Sequence, residues 1–256
     1  MRTRGVAAVA VALLAVLAIG IAGARAVIIE AGTMILRIEG GVSPQALPKD
    51  RLAPVTIHGS GSLRTVDGSH PPALREAIID ADKDLVVDVK GLPTCRIGQL
   101  RAVTTKRAEA VCGDAIVGRG SATVEVAFPE QSPIHSTGPL AIFNGGERNG
   151  AITFIGHAYV SVPAPTAVVG TAKVTRIKKG AFGLHVMVDV PPIAGGAGSV
   201  VAAGIKLGRT YTSKGERQSV FSGRCSNGRI EGRGTFKYAD GSSLSGGFPE
   251  TCTATD

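Results

Sequence analysis

Residues 183–190 read GLHVMVDV, and their alternation decides the fold class. Leu184, Val186, Val188 and Val190 fall on one face, and His185, Met187 and Asp189 on the other. Side chains alternate across a strand, so this pattern makes a strand with one apolar and one wet face. The same period recurs in ATVEVAF (122–128), where Val124, Val126 and Phe128 alternate with Thr123, Glu125 and Ala127. In RIEGRGTFKY (229–238), Ile230, Phe236 and Tyr238 oppose Arg229, Glu231, Arg233 and Lys237. Gly- and Pro-rich clusters separate the runs: NGGERNG, PAPT, PPIAGGAG, TSKGE, SNG and ADGSS. One-sided strands between such turns are antiparallel strands. The spacing predicts an all-β, antiparallel β-sandwich, jelly-roll or immunoglobulin-like.

Earlier in the chain, Val27–Ile38 (VIIEAGTMILRI) reads as a strand. Residues 40–54, with three prolines, read as an extended linker or edge segment. Strand signals resume at Val55, so residues 27–54 are set apart from a main domain over 55–256, with a possible split near 163–166. One helix is expected over residues 98–112, with Leu100, Val103, Ala110 and Val111 sharing a face.

The first 26 residues, MRTRGVAAVAVALLAVLAIGIAGARA, have the order of a secretory signal peptide: Arg2 and Arg4, an apolar stretch, then Ala24-Arg25-Ala26. The expectation is therefore an exported chain, secreted or held at the cell envelope, with no membrane span in its mature part. In that setting the four cysteines form disulfides. Proximity pairs Cys95 with Cys112 and Cys225 with Cys252, and the zinc spacing Cys-x-x-Cys is absent.

The chain has 256 residues, 44% hydrophobic and 19% charged, too apolar for a disordered protein. Its formal charge is +8, and removal of Arg2, Arg4 and Arg25 leaves a mildly basic +5. The densest basic cluster, Lys173, Arg176, Lys178 and Lys179, has no aromatic residue interleaved, so nucleic acid is not expected. An anionic cell-envelope polymer or surface suits this charge better.

Candidate chemistry is sparse. Asp80, Asp82, Asp84 and Asp88 begin as a calcium loop does, but Leu85 stands where the turn needs Gly and Gly91 where a bidentate Glu belongs. They form a weak calcium site or, more simply, a charged hairpin. His157 and Tyr159 share a strand face and could line a ligand cleft. No HExxH, GxSxG or phosphate loop occurs, and no catalytic residue is assigned.

Three stretches carry a resemblance: LPKDRLAPVTIHGSGSLRTVDGSHPPALREA, GLPTCRIGQL with Cys112 following, and AFPEQSPIHSTGPLAIFNG. Together they resemble uncharacterised exported proteins of high-GC Gram-positive bacteria. The resemblance implies export and brings no activity or site residue. The sequence therefore reads as a non-catalytic binding or structural module of the envelope. A hydrolase with a loop-borne active site and a carrier for an apolar ligand are the alternatives.

Overall fold

In the computed structural model, which describes residues 26–256, the alternating runs become twelve strands of one antiparallel sheet. In chain order they are β1 (Val27–Ala31), β2 (Met34–Ser43), β3 (Thr56–Thr65), β4 (Leu74–Asp82), β5 (Ile116–Val126) and β6 (Ile134–Arg148). Then come β7 (Ala151–Val160), β8 (Thr166–Lys179), β9 (Phe182–Asp189), β10 (Gly198–Leu207), β11 (Gly232–Tyr238) and β12 (Ser243–Gly247). The leader read over residues 1–26 lies, apart from Ala26, outside the described residues.

The spatial order is β1-β2-β3-β10-β5-β6-β7-β8-β9-β4-β11-β12. This is a simple meander with β4 and β10 exchanged. The expected sandwich would divide these strands between two facing sheets. Here they form one ladder that wraps on itself. The two edges approach: a Cβ on Gly246 of β12 would meet Ile29 Cδ1 of β1 at 2.5 Å. The architecture is therefore a near-closed, barrel-like sheet. Period two marks the wet and dry faces of a strand, but it reads the same whether the dry face covers a second sheet or turns into a barrel.

The exchange of β4 and β10 sends four connections across the barrel. Residues 66–73 and 190–197 cross one end, called upper, while residues 83–115 and 208–231 cross the lower end. The lower crossings add small ladders: Ala53–Pro54 with Phe221–Gly223 and Leu85–Val87, and Thr210–Ser213 with Glu216–Ser219. Val55, Leu85, Val87, Val220 and Phe221 then pack with Val42, Val117, Phe154 and Val174 from the strands into one buried cluster that plugs the lower end.

Both disulfides form as the spacing predicts. Cys225–Cys252 has Cα atoms 5.9 Å apart and ties the lower cap to the segment after β12. Cys95–Cys112, at 5.6 Å, ties the helical segment to the loop before it.

The expected single helix is two. α1 covers Ile97–Leu100 and α2 covers Thr105–Cys112. Ala102 takes a positive φ of 58° between them, and Thr104 starts α2 by accepting from Arg107 N at 3.3 Å. The buried face is Leu100, Thr105, Ala108 and Cys112, while Ala110 and Val111, expected on it, are exposed. This hairpin lies on the outer face of the barrel against Ala141, Phe143 and Ile155.

Pro163 and Pro165 sit in the hairpin between β7 and β8, which pair from Val160↔Thr166 to Ala151↔Thr175. Val27–Ser43 supplies β1 and β2 of the main sheet.

Replacing Cys225 and Cys252 together by Ser should cost about 3–4 kcal/mol, the loop-closure entropy restored to the unfolded chain. Urea unfolding of the two proteins measures it.

Candidate functional site

Which side chains turn inward follows from the register. Ile57, Leu207, Val117, Ile142, Phe154, Ala172, Val186 and Ala81, from adjacent strands around the wall, all pack on the one lower cluster, so they share an enclosed space. Continuing the alternation upward places Ile38, Gly59, Gly61, Ala203, Ile205, Gly120, Ala122, Gly138 and Leu140 on the inner face. Gly156, Ala158, Gly170, Val188, Ile79 and Phe236 continue the ring. None of these positions carries a charge.

This inner wall is not closed on itself. Ile38, Ile79, Leu140, Ile142, Val186, Val188 and Ile205 are half-buried although they face inward. A Cβ on Gly59 would meet only Glu39 O and Ile205 Cγ1, both at 3.9 Å, and one on Gly61 only Arg37 O at 3.5 Å. Those atoms belong to neighbouring strands, and nothing from the facing wall comes within 4 Å. A close-packed core fills such positions. Eight strands enclose a space that side chains just fill. Twelve strands with glycines on the wall leave these inward side chains part-exposed rather than packed across the barrel.

The outer face has the opposite chemistry. Arg37, Ser60, Ser62, Arg119, Lys206 and Lys173 occupy outward positions and are exposed. A barrel that spans a bilayer needs an apolar outer band, and this one carries its apolar band inside. Among the described residues no helix is long and apolar enough to cross a membrane. Small outward side chains at Ser60, Ser62, Ser121 and Ala202 leave an open trough of about 330 Å³ beside the Arg37–Glu39 ion pair.

Two apolar patches close the upper end of the barrel. Val124, Val126 and Ile193 are buried together, with Phe128, Val168 and Val200 against them. Met34, Leu36, Leu63, Tyr238 and Leu244 form the second. Burial there pushes the Tyr238 hydroxyl up to about 12.

The aspartates singled out in sequence do not converge. Asp80, outward on β4, lies 2.7 Å from His185 Nδ1 and accepts from Arg233 at 2.6 Å. The His185 contact, with Arg233 behind it, holds its pKa below the ordinary value against the cost of burial. Asp82 accepts from Asp84 N and Glu231 N, both within 2.9 Å. Asp84, almost fully buried, accepts from Arg224 Nε at 2.8 Å and Ser226 N at 2.9 Å. Burial pushes its carboxyl up, but those donors outweigh burial and leave it lowered. Asp88 accepts from Lys90 N. Each carboxylate points at a different protein donor, and Asp82 and Asp84, through Glu231 N, Arg224 and Ser226, fasten the crossing 208–231 to the end of β4. Among the described residues no group of three or more His, Cys, Asp or Glu side chains is placed to hold a metal ion.

His157 is fully buried beneath the helical hairpin, on the outer face of β7. Its Nε2 lies 3.1 Å from Val103 O and its Nδ1 3.4 Å from Thr105 Oγ1. It bridges the two helices to the sheet and lines no cleft. Tyr159, two residues on, is half-buried on the same face. Desolvation lowers the His157 pKa, against the pull of the Val103 carbonyl.

One polar cluster escaped the sequence reading. At the upper end His70, from crossing 66–73, has Nδ1 2.6 Å from Glu125 Oε1 and Nε2 3.1 Å from Ser199 Oγ. His135 Nε2 lies 2.9 Å from the other Glu125 oxygen. The order Ser–His–Glu is that of a nucleophile, a base and its orienting acid. Ser199 is fully buried, however, and its hydroxyl donates to Pro71 O. With that proton committed to Pro71 O, Ser199 Oγ has none to give His70, whose ring lies between it and Glu125. The cluster thus clasps the crossing to β10 and β5. Ser199 and Glu125 are register partners, but His70 is distant in sequence, so no local spacing signals the set.

No family model, curated protein or solved structure matches this chain.

Two outcomes follow from the buried groups. His157 has a lowered pKa in the folded state, so the unfolded chain takes up its proton first. Its stabilising contribution is complete above pH about 6.5 and is lost as pH falls below that value. Melts between neutral and mildly acidic pH should show the slope, and His157→Gln should lack it. Asp84→Asn should cost about 2–3 kcal/mol, because Arg224 Nε and Ser226 N lose a charged acceptor. For wild type, Asp80 and Asp84 are lowered, so their contribution holds above pH about 4 and fades as pH falls through that range.

Proposed function

We propose that this protein is an exported, non-catalytic binding barrel whose ligand is a long aliphatic chain held in the lumen. The observation that carries the reading is the apolar middle of the inner wall, whose glycines at 59 and 61 face no atom of the opposite side. Its lining interleaves branched aliphatic side chains with glycine and alanine, and Phe154 and Phe236 are the aromatic contributions. Flexible methylene chains fill such a space without needing a polar partner. Each buried methylene contributes about 0.8 kcal/mol before the costs of association. The leader, the two disulfides and the polar outer face support work outside the cytoplasm.

A second reading rests on the outer trough. Its open, small-residue floor beside Arg37 suits a strand of an anionic envelope polymer. Such binding would weaken strongly with salt, whereas lumen binding would not.

The test is a fluorescence titration of the mature protein with the uncharged probe N-phenyl-1-naphthylamine, followed by displacement with hexadecanoate. Saturable binding in the micromolar range or tighter, displaced by the fatty acid and unchanged by salt, is expected. Ala158→Phe puts a ring into the lumen and should weaken probe binding by about tenfold or more, with the melting transition kept. A protein that takes up no probe, or a variant that binds it equally well, would contradict the reading.

A further inference from the structure

We infer that the crossing at residues 66–73 is the gate of the lumen, and that the His70–Glu125–Ser199 cluster is its latch. The inference rests on the lumen reading and adds the route by which the chain enters and leaves.

The four crossings are held very differently. At the lower end, residues 83–115 and 208–231 are locked by the large buried cluster, and each carries a disulfide, Cys95–Cys112 within the first and Cys225–Cys252 from the second to the chain after β12. At the upper end, residues 190–197 drive Ile193 into the apolar patch with Val124 and Val126. Residues 66–73 have no such anchor in their first half. Val66, Asp67, Gly68 and Ser69 are exposed, and the apolar contact comes only from Pro71 and Ala73 at the far end.

What holds this strap is polar. His70 reaches Glu125 and Ser199, and Ser199 donates to Pro71 O. The strap is also preformed. Asp67 accepts from Ser69 N at 3.0 Å and from Ser69 Oγ at 2.7 Å, and Thr65 Oγ1 donates to Ser69 O at 2.6 Å. Backbone bonds tie the strap's ends, Val66 N to Thr33 O and Ala239 N to Ala73 O, and the turn between them is fastened at one polar cluster, so it moves as a unit when that cluster lets go. Water replaces polar contacts at small net cost, whereas an apolar plug must expose its surface to open. The upper strap is therefore the cheapest of the four crossings to lift. The face opposite Glu125 on β5 carries Val124 and Val126, which close the upper end of the lumen. The latch is thus seated on the strand that shuts that end.

The experiment compares stopped-flow uptake of N-phenyl-1-naphthylamine by mature wild type, Glu125→Gln and Tyr211→Phe. Tyr211 donates to Lys90 O at 2.8 Å at the lower end and serves as the control. Glu125→Gln should speed both uptake and release by about tenfold or more, leaving equilibrium affinity within about twofold, and Tyr211→Phe should leave both rates unchanged. Amide hydrogen exchange is read on the same proteins, and it needs no ligand. In Glu125→Gln, exchange should rise across residues 66–73 and not across 190–197. Faster exchange in the strap with unchanged uptake would overturn the gate. Unchanged exchange would overturn the latch. Wild type that binds no probe while its strap exchange responds to Glu125→Gln would remove the lumen and the gate with it, and leave a structural clasp.

Discussion

The constraint on which the rest of this structure depends is the exchange of β4 and β10 in an otherwise sequential meander. A meander alone closes into an open-ended tube joined by short hairpins. Exchanging two strands forces four connections across the ends, two at each mouth. The lower pair is long enough to build its own ladders and carries much of the buried cluster. The upper pair is short and merely spans. The molecule is consequently a barrel with a thick floor and a thin roof.

Within that frame, side-chain size around the wall decides whether the inside is a core or a space. Leu36, Leu63, Leu244 and Tyr238 fill the region near the seam between β12 and β1. On the other side of the barrel the inward positions of β3, β10, β5, β6 and β7 run through Gly59, Gly61, Ala203, Gly120, Gly138 and Gly156. Glycine inside a strand costs conformational entropy and buries nothing. At Gly120 and Gly138 a Cβ would strike Gly204 O and Tyr159 O of the adjoining strands, so close backbone approach requires glycine there, whereas Gly59 and Gly61 face open space.

Much of this was legible in the sequence as local pattern. The inward set on β9, Leu184, Val186 and Val188, is the set that alternation picks out, and Val124 and Val126 behave likewise. The disulfides followed from proximity. Pattern failed where the answer is non-local. The same alternation serves a sandwich and a barrel, and only pairing partners distinguish them. The helix breaks at Ala102, and the Val103 carbonyl freed between α1 and α2 accepts from buried His157, fifty-four residues away. DADKD resembled an ion site because sequence shows carboxylates without showing their donors, here Arg233, Arg224, Ser226 and Glu231 N. His70 and Glu125 meet because β5 lies beside β10 and a strap crosses above them, which no window of sequence contains.

The central claim is that the inner wall encloses an apolar space able to take an aliphatic chain. The most direct measurement is a crystal of residues 27–256 soaked with a bromine-tagged fatty acid and examined for bromine anomalous density. The account predicts density inside the barrel, between the wall of Gly61 and Gly156 and the wall of Ile79 and Val188. Facing walls found in van der Waals contact with no room between them, or bromine found only on the outer surface, would contradict it.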